Sequence, residues 1–201
     1  MNKLILIPTE FEASVLVKDM HRGEYKYIKD GKDKTILSIC GIGLTSLKSI
    51  DKIRSKENIH KIIVVGMAGD LTNENRLCNT YIIKTVTNKK DIIKTKHPDP
   101  EHIKGIIHDG YASLITVNKP VYTKARKQNL ANYAELVDME GFHVAKFCEY
   151  NKIELLMIRT VSDNCEGNLD KFFDKHSDRS GLPKELIKAQ ENIAEIVNKL
   201  L

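Results

Sequence analysis

The chain has no tryptophan, and aromatic residues make up only 6% of its 201 positions. Sites for single-stranded nucleic acid are built from aromatic rings interleaved with cations on one face, so the net charge of +5 does not by itself indicate a nucleic-acid partner. The lysines are scattered instead through 29–34, 84–104 and 124–127, as on a solvated surface, and no nucleic acid is expected. No apolar run approaches the roughly 18 residues of a membrane span, and the apolar part of the opening Met-Asn-Lys-Leu-Ile-Leu-Ile-Pro is too short for a signal peptide. No membrane partner and a cytoplasmic location are therefore expected. Cys40, Cys78, Cys148 and Cys165 are widely separated and lack CxxC spacing, which favours reduced thiols over disulfides or metal ligation. The stretch His97-Pro98-Asp99-Pro100-Glu101-His102 collects ligand types, but its prolines favour extended chain and no recognised ligand spacing occurs, so no metal is expected. Nothing calls for an organic cofactor either.

What is present reads as one domain over residues 1–201, with 41% hydrophobic and 29% charged residues, large enough for one substantial core. Apolar runs at Leu4–Ile7, Lys61–Val65, Thr80–Val86, Ser113–Val117 and Ile153–Val161 read as strands, and Glu24–Ile28 with Thr35–Cys40 as a hairpin around Asp30-Gly31. Helical spacing appears after Thr9, over Leu44–Lys56, and over Phe142–Cys148, while Leu182–Leu201 is amphipathic, with Leu186, Ile187, Ala189, Ile193, Ile196, Val197 and Leu200 on one side. Residues 87–110 are polar and Lys-rich and read as a mobile loop. Strands alternating with helices predict an α/β fold with a mixed central sheet flanked by helices.

Chemistry concentrates between Val137 and Asn164, which reads as strand end, helix, buried strand and polar turn. Glu140 stands at the entry to the helix and Asp163 just past the strand end, in Ser162-Asp163-Asn164. Ligand sites favour such strand ends. Each residue also has a purely structural reading: an acid in a first helical turn suits the helix dipole, and Ser-Asp-Asn is common turn chemistry. Glu12, three residues after Thr9, completes a capping-box pattern. The lone Cys40-Gly41-Ile42-Gly43 is more often a tight strand-to-helix turn than a phosphate loop. Gly66-Met67-Ala68-Gly69, after the Lys61–Val65 strand, reads as a loop whose glycines would let the backbone approach a ligand closely.

Met139-Glu140-Gly141, followed after one helix by Ile158-Arg159-Thr160-Val161-Ser162-Asp163, resembles the paired signature of the nucleoside phosphorylase and nucleosidase superfamily, and within it the 5′-methylthioadenosine/S-adenosylhomocysteine nucleosidases. The acidic turn ending at Glu12, the Gly41-Ile42-Gly43 turn and the Gly66–Gly69 segment are similar to that family in the same order. The likeness covers roughly residues 1–85 and 137–201. It implies the nucleoside phosphorylase fold, a small nucleoside as substrate, and a homodimer that completes its pocket across the interface. It also implies roles. Asp163 would protonate N7 of a purine, with Ser162 and Asn164 helping to hold the base. Glu140 would grip the ribose hydroxyls over Met139, and Glu12 would activate water with Arg159 beside it. Gly66, Met67, Ala68, Gly69, Ile42 and Val117 would line the pocket.

The chain departs from the family at Met67, where a Ser is usual, at Asp70 in place of a Gly, in a shorter segment over 87–110, and at the base-stacking aromatic, for which Tyr122 is the candidate. Phosphorylases of this superfamily carry an Arg soon after the first strand and another before the central Gly segment. Here the first Arg is Arg22, and Val64-Val65 precede Gly66, which favours water over phosphate as nucleophile. The leading expectation is a nucleosidase for a purine nucleoside with a modified 5′ group. A futalosine hydrolase, a nucleoside phosphorylase, and a nucleoside-binding protein that has lost its chemistry are the alternatives.

Overall fold

Leu4 to Ile7 alternate between two cores: Leu4 and Leu6 join one apolar cluster, Ile5 and Ile7 the other. Such alternation of wholly buried residues marks a strand covered on both faces. The computed structural model describes residues 1–17, 19–29, 31–72, 74, 76–95, 103–166 and 181–201. In chain order its elements are β1 (Asn2–Ile7), α1 (Glu10–Ala13), β2 (Tyr25–Lys29), β3 (Thr35–Ile39), α2 (Thr45–Arg54), β4 (Ile59–Asp70), β5 (Thr80–Thr87) and β6 (Ile92–Lys94). There follow β7 (Gly110–Thr116), α3 (Lys124–Ala131), β8 (Leu136–Asp138), α4 (Gly141–Asn151), β9 (Glu154–Asp163) and α5 (Lys184–Leu200).

The nine strands among these residues form one mixed sheet, and part of it closes on itself. β4 pairs in parallel with β9 from Lys61↔Glu154 to Gly69↔Asp163, then gives its last two residues to β8. β8 pairs with β7, β7 with β5, and β5 returns antiparallel to β9. These five strands make a ring without a free edge. β1, β3 and β2 extend from β4 as an open wing, while β6 hangs on β5. Because β1, β3, β4 and β9 run in the same direction, their carboxyl ends meet along one rim.

Helices cover both faces. Phe142, Val144, Ala145 and Cys148 of α4 pack with Ile50 and Ile53 of α2 against Leu4, Val64 and Met157. On the other face, Leu186, Ala189, Ile193, Ile196, Val197 and Leu200 of α5 pack on Ile5, Ile63, Val65 and Ile158. The amphipathic tail thus covers the sheet of its own chain. No helix among the described residues is long and apolar enough to cross a membrane.

Several expectations need correction. Gly66 to Gly69 does not form a loop: β4 runs on through Asp70, with a register shift against β9 between Ala68 and Gly69. Asp163 is the last residue of β9, not a residue beyond it. The segment 87–110 is not all loop. Lys89 adopts φ 80, and the Thr87 and Asn88 side chains accept from the N–H groups of Lys89, Lys90 and Asp91, which folds a tight turn into β6. A lysine in the left-handed region gives no glycine signal. The His97–His102 stretch and Asp30 of the hairpin turn lie outside the described residues. α1 is a single turn, and α3, with Leu130 as its main apolar anchor, has almost no amphipathic pattern to read.

Ile193 is fully buried on α5, in contact with the sheet. Ile193→Ala should lower unfolding stability by about 2–5 kcal/mol, seen as a lower urea midpoint at unchanged slope; a midpoint within error of wild type would remove α5 from the core.

Candidate active site

The rim where the strand ends meet encloses a cavity of about 680 Å³. Pro8 to Glu12 form one wall. Thr9 caps α1 by accepting the Glu12 N–H at 3.2 Å, and its own hydroxyl donates to Glu12 Oε2 at 2.6 Å. The other oxygen, Oε1, accepts the backbone N–H of Met67 at 2.6 Å. Glu12 therefore does more than cap its helix: its carboxylate crosses to β4 and is 4% exposed. Burial raises its pKa from the usual carboxylate value, partly opposed by the hydrogen bonds from Thr9 and Met67 and by the charge of Arg159.

Gly66 and Gly69 are small for a packing reason. A Cβ at Gly66 would come within 2.9 Å of both Glu12 Oε1 and Pro8, and one at Gly69 would overlap Cys165 Sγ and crowd Asp163 Oδ1. One strand thus passes beneath the carboxylates of Glu12 and Asp163, and glycine is what gives them room. Asp163, half-buried, accepts the Cys165 N–H through Oδ1 at 2.7 Å and the Ser162 hydroxyl through Oδ2 at 2.8 Å. The Cys165 thiol is pushed up by burial and then by the neighbouring Asp163 charge.

The floor is built around Arg159, which is wholly buried. Its Nη2 donates to Asp138 Oδ2 at 2.7 Å and to Glu140 Oε1 at 2.8 Å, and its Nε to Asp138 Oδ2 at 3.3 Å. Asp138 also accepts from Thr116 Oγ1 at 2.6 Å and from the Gly141 N–H at 2.9 Å. Glu140, at the N-cap of α4, makes no side-chain cap bond; its carboxylate goes to the guanidinium instead. Burial, and then the Asp138 charge, push Glu140 well above the usual carboxylate range despite Arg159.

Met67, Ala68, Gly69, Ile42, Val117, Met139, Glu140, Ser162, Asp163 and Glu12 all line the cavity. Tyr122 lines it too, together with Val121 and Pro120. Three expected site residues do not. Gly66 lies behind Glu12, and Asn164 is exposed, its Oδ1 accepting the Glu166 N–H. Arg159 lies under the floor, where it holds Asp138 and Glu140 and makes no hydrogen bond to Glu12 among the described residues. It therefore holds carboxylates in place, as expected, through Asp138 and Glu140, while its charge reaches Glu12 without a hydrogen bond. The sequence reading missed Asp138, which precedes the Met-Glu pair and is the counter-ion a buried arginine requires, and it missed the lining residues Arg22 and Cys165. No group of three or more His, Cys, Asp or Glu among the described residues is arranged to hold a metal ion.

Comparison with known proteins fits this geometry. The phosphorylase superfamily model matches residues 107–201. Futalosine hydrolase of Helicobacter pylori superposes with a TM-score of 0.75 at 17% identity over 100% of both chains. The 5′-methylthioadenosine/S-adenosylhomocysteine nucleosidase of Streptococcus pneumoniae, solved with a transition-state inhibitor, gives 0.76 at 16% identity, over 98% of this chain and 96% of that one. The Helicobacter pylori nucleosidase of the same name gives 0.74 at 18%, over 100% and 99%. The chain has the nucleoside phosphorylase fold. No curated protein matches the sequence. Within this fold the cavity sits at the carboxyl ends of the parallel strands, where open α/β sheets place ligands.

Two predictions follow from the buried charges. Arg159→Met would leave Asp138 and Glu140 buried without their cation and should cost about 3–5 kcal/mol in denaturant unfolding; a loss under about 1 kcal/mol would mean the network is not what holds the floor. For Glu12, a raised folded pKa means that the native chain binds more protons than the unfolded chain above the usual 4.5. Its contribution to stability is then lost as pH rises through the raised value. Glu12→Gln cannot ionise, so its stability relative to wild type should increase from about pH 4 to about pH 7. A pH-independent difference would contradict the assignment.

Proposed function

We propose that the chain hydrolyses the N-glycosidic bond of a purine nucleoside with a modified 5′ group, releasing free base and the ribose product. The observation that carries this reading is the convergence of Glu12, Glu140 and Asp163 on one cavity, in two groups. Asp163 stands with Gly69, Val137 and Cys165 at one end, and Glu12 and Glu140 stand with Pro8, Thr9 and Met139 at the other.

The base would lie at the Asp163 end, among Val117, Val121 and Tyr122. Asp163 donates a proton to N7, the glycosidic bond stretches, and the electron pair leaves with a neutral base. Positive charge then develops on the ribosyl ring. Asp138, Glu140 and Glu12 share the single guanidinium of Arg159, so a second positive charge placed over Glu140 meets an under-compensated carboxylate. That favours the transition state over the ground state. Glu12 orients a water and takes its proton as the oxygen bonds C1′. A carboxylate held above its usual pKa is a better base for this step. One water is consumed: the Asp163 proton leaves on the base, the water's proton goes to Glu12 and its hydroxyl to C1′, and solvent carries a proton from Glu12 back to Asp163.

Water is favoured over phosphate because five carboxylates line the cavity and Arg22 is the one cation among its described lining residues. A phosphate dianion normally needs several such donors. We also infer that the protein works as a homodimer, with the exposed Leu44 covered by a second copy.

The test is release of free base, by chromatography, from methylthioadenosine, S-adenosylhomocysteine, adenosine, inosine and futalosine, each with and without phosphate. Phosphate-independent release from one member is expected. Release only with phosphate would make the chain a phosphorylase, and silence across the panel a binding protein. Asp163→Asn and Glu12→Gln should each lower turnover by about 10²–10⁴-fold while nucleoside binding persists; unchanged turnover in either would remove that residue from its role.

A further inference from the structure

Each of the five carboxylates lining the cavity has a donor. Glu12 has Thr9 and Met67, Asp138 and Glu140 have Arg159, Asp163 has Ser162 and Cys165, and Glu10 has the backbone N–H of Arg22 at 2.8 Å. The guanidinium of Arg22 has no such partner: among the described residues no hydrogen bond or ion pair reaches it. Its position is nevertheless defined. The stem lies across Gly41, where a Cβ would come within 3.0 Å of Arg22 Cδ and 3.3 Å of Cγ, and Gly41 at φ +83 donates its N–H to Pro8 O at 2.9 Å. The same turn continues through Ile42, which lines the cavity, to Gly43, which faces the Met139 carbonyl. Arg22 therefore stands on the side of Met139 and Glu140, at the exposed rim, and not beside Asp163.

We propose that Arg22 selects substrates whose 5′ substituent ends in a carboxylate. This rests on the nucleosidase reading above, which puts the sugar over Met139 and Glu140 and directs its 5′ arm outward past Ile42. A guanidinium offers a planar fork of donors that matches a carboxylate, and an unpaired one loses no existing ion pair when it binds. Free phosphate offers the same chemistry. It would have to enter a cavity lined by carboxylates as an untethered dianion, whereas a carboxylate on the nucleoside arrives at high effective concentration. Glu10 lies close by, but its Oε1 is already directed to the Arg22 backbone.

The experiment uses two adenosine 5′-thioethers of equal length, one ending in a carboxylate and the other in its methyl ester. Binding is measured by titration calorimetry and base release by chromatography. Wild type should favour the carboxylate by about tenfold in Kd, a size consistent with a charge-assisted hydrogen bond at a wet rim. The ratio should fall to near one in Arg22→Gln and stay intermediate in Arg22→Lys, which keeps the charge but loses the fork. Equal binding of the two compounds to wild type, binding of neither, or the same ratio in all three proteins overturns the proposal. Phosphate that accelerates release in wild type but not in Arg22→Gln also overturns it, by assigning Arg22 to phosphate. Preferential carboxylate binding that depends on Arg22, with no base released from either compound, would support this proposal while sinking the nucleosidase reading.

Discussion

The buried guanidinium of Arg159 is the constraint on which the floor of the cavity depends. It joins β9 to the end of β8 and to the first residue before α4, elements that the chain separates by a helix and that ring closure brings together. Burying a charge is tolerable only when partners with good geometry surround it. Here Asp138 does most of that, and at the same time serves α4. It accepts the Gly141 N–H, and Thr116 Oγ1, which donates to Asp138, accepts the Phe142 N–H at 2.7 Å. The first N–H groups of the helix are thereby satisfied from the strand side. Glu140, which occupies the N-cap position, is released from capping and left to face the cavity.

That division of labour explains what could be read from the sequence and what could not. Buried strands and the amphipathic tail were legible because burial imposes a period: Leu4 to Ile7 fill two cores in alternation, and Leu186 to Leu200 follow one helical stripe. Glu12, Glu140 and Asp163 were legible through their motifs, and the structure brings all three to one cavity. Asp138 was not, because its importance arises from the Arg159 charge two elements away. Arg22 was read only as a late arginine, since nothing local indicates that its stem crosses a turn nineteen residues on, at Gly41. Met67 was misread with its neighbours as a loop because glycines suggest a break. In β4 they mark close approach of side chains from other strands.

The charge count at the cavity has a chemical consequence. Asp138, Glu140 and Glu12 all act on one arginine, and burial, then the Asp138 charge, make a negative charge on Glu140 costly. A site with a surplus of buried negative charge is poorly suited to bind an anion in its depth and well suited to a ligand that becomes cationic there. Under the proposed reaction the ribosyl ring gains charge only as the bond to the base breaks, so the surplus is neutralised late. Electrostatic attraction of this kind acts on the barrier more than on binding. An arginine inside the cavity would cancel the surplus, which is consistent with finding Arg22 at the rim and Arg159 beneath the floor.

Met67 stands where the resembled family usually has a serine, and a hydroxyl there is not what orients Glu12. The group that orients Glu12 from β4 is the Met67 backbone N–H, donated to Oε1 at 2.6 Å. Any residue with an N–H can supply that bond. Its direction is fixed by β4 pairing with β9 through Met67↔Thr160, and by the absence of a Cβ at Gly66. What the side chain changes is the surface presented to the ligand: a buried thioether in place of a hydroxyl makes this wall more apolar. The substitution therefore bears on the shape and polarity of the cavity wall, while the placement of the Glu12 carboxylate rests on backbone that sequence change at this position leaves intact.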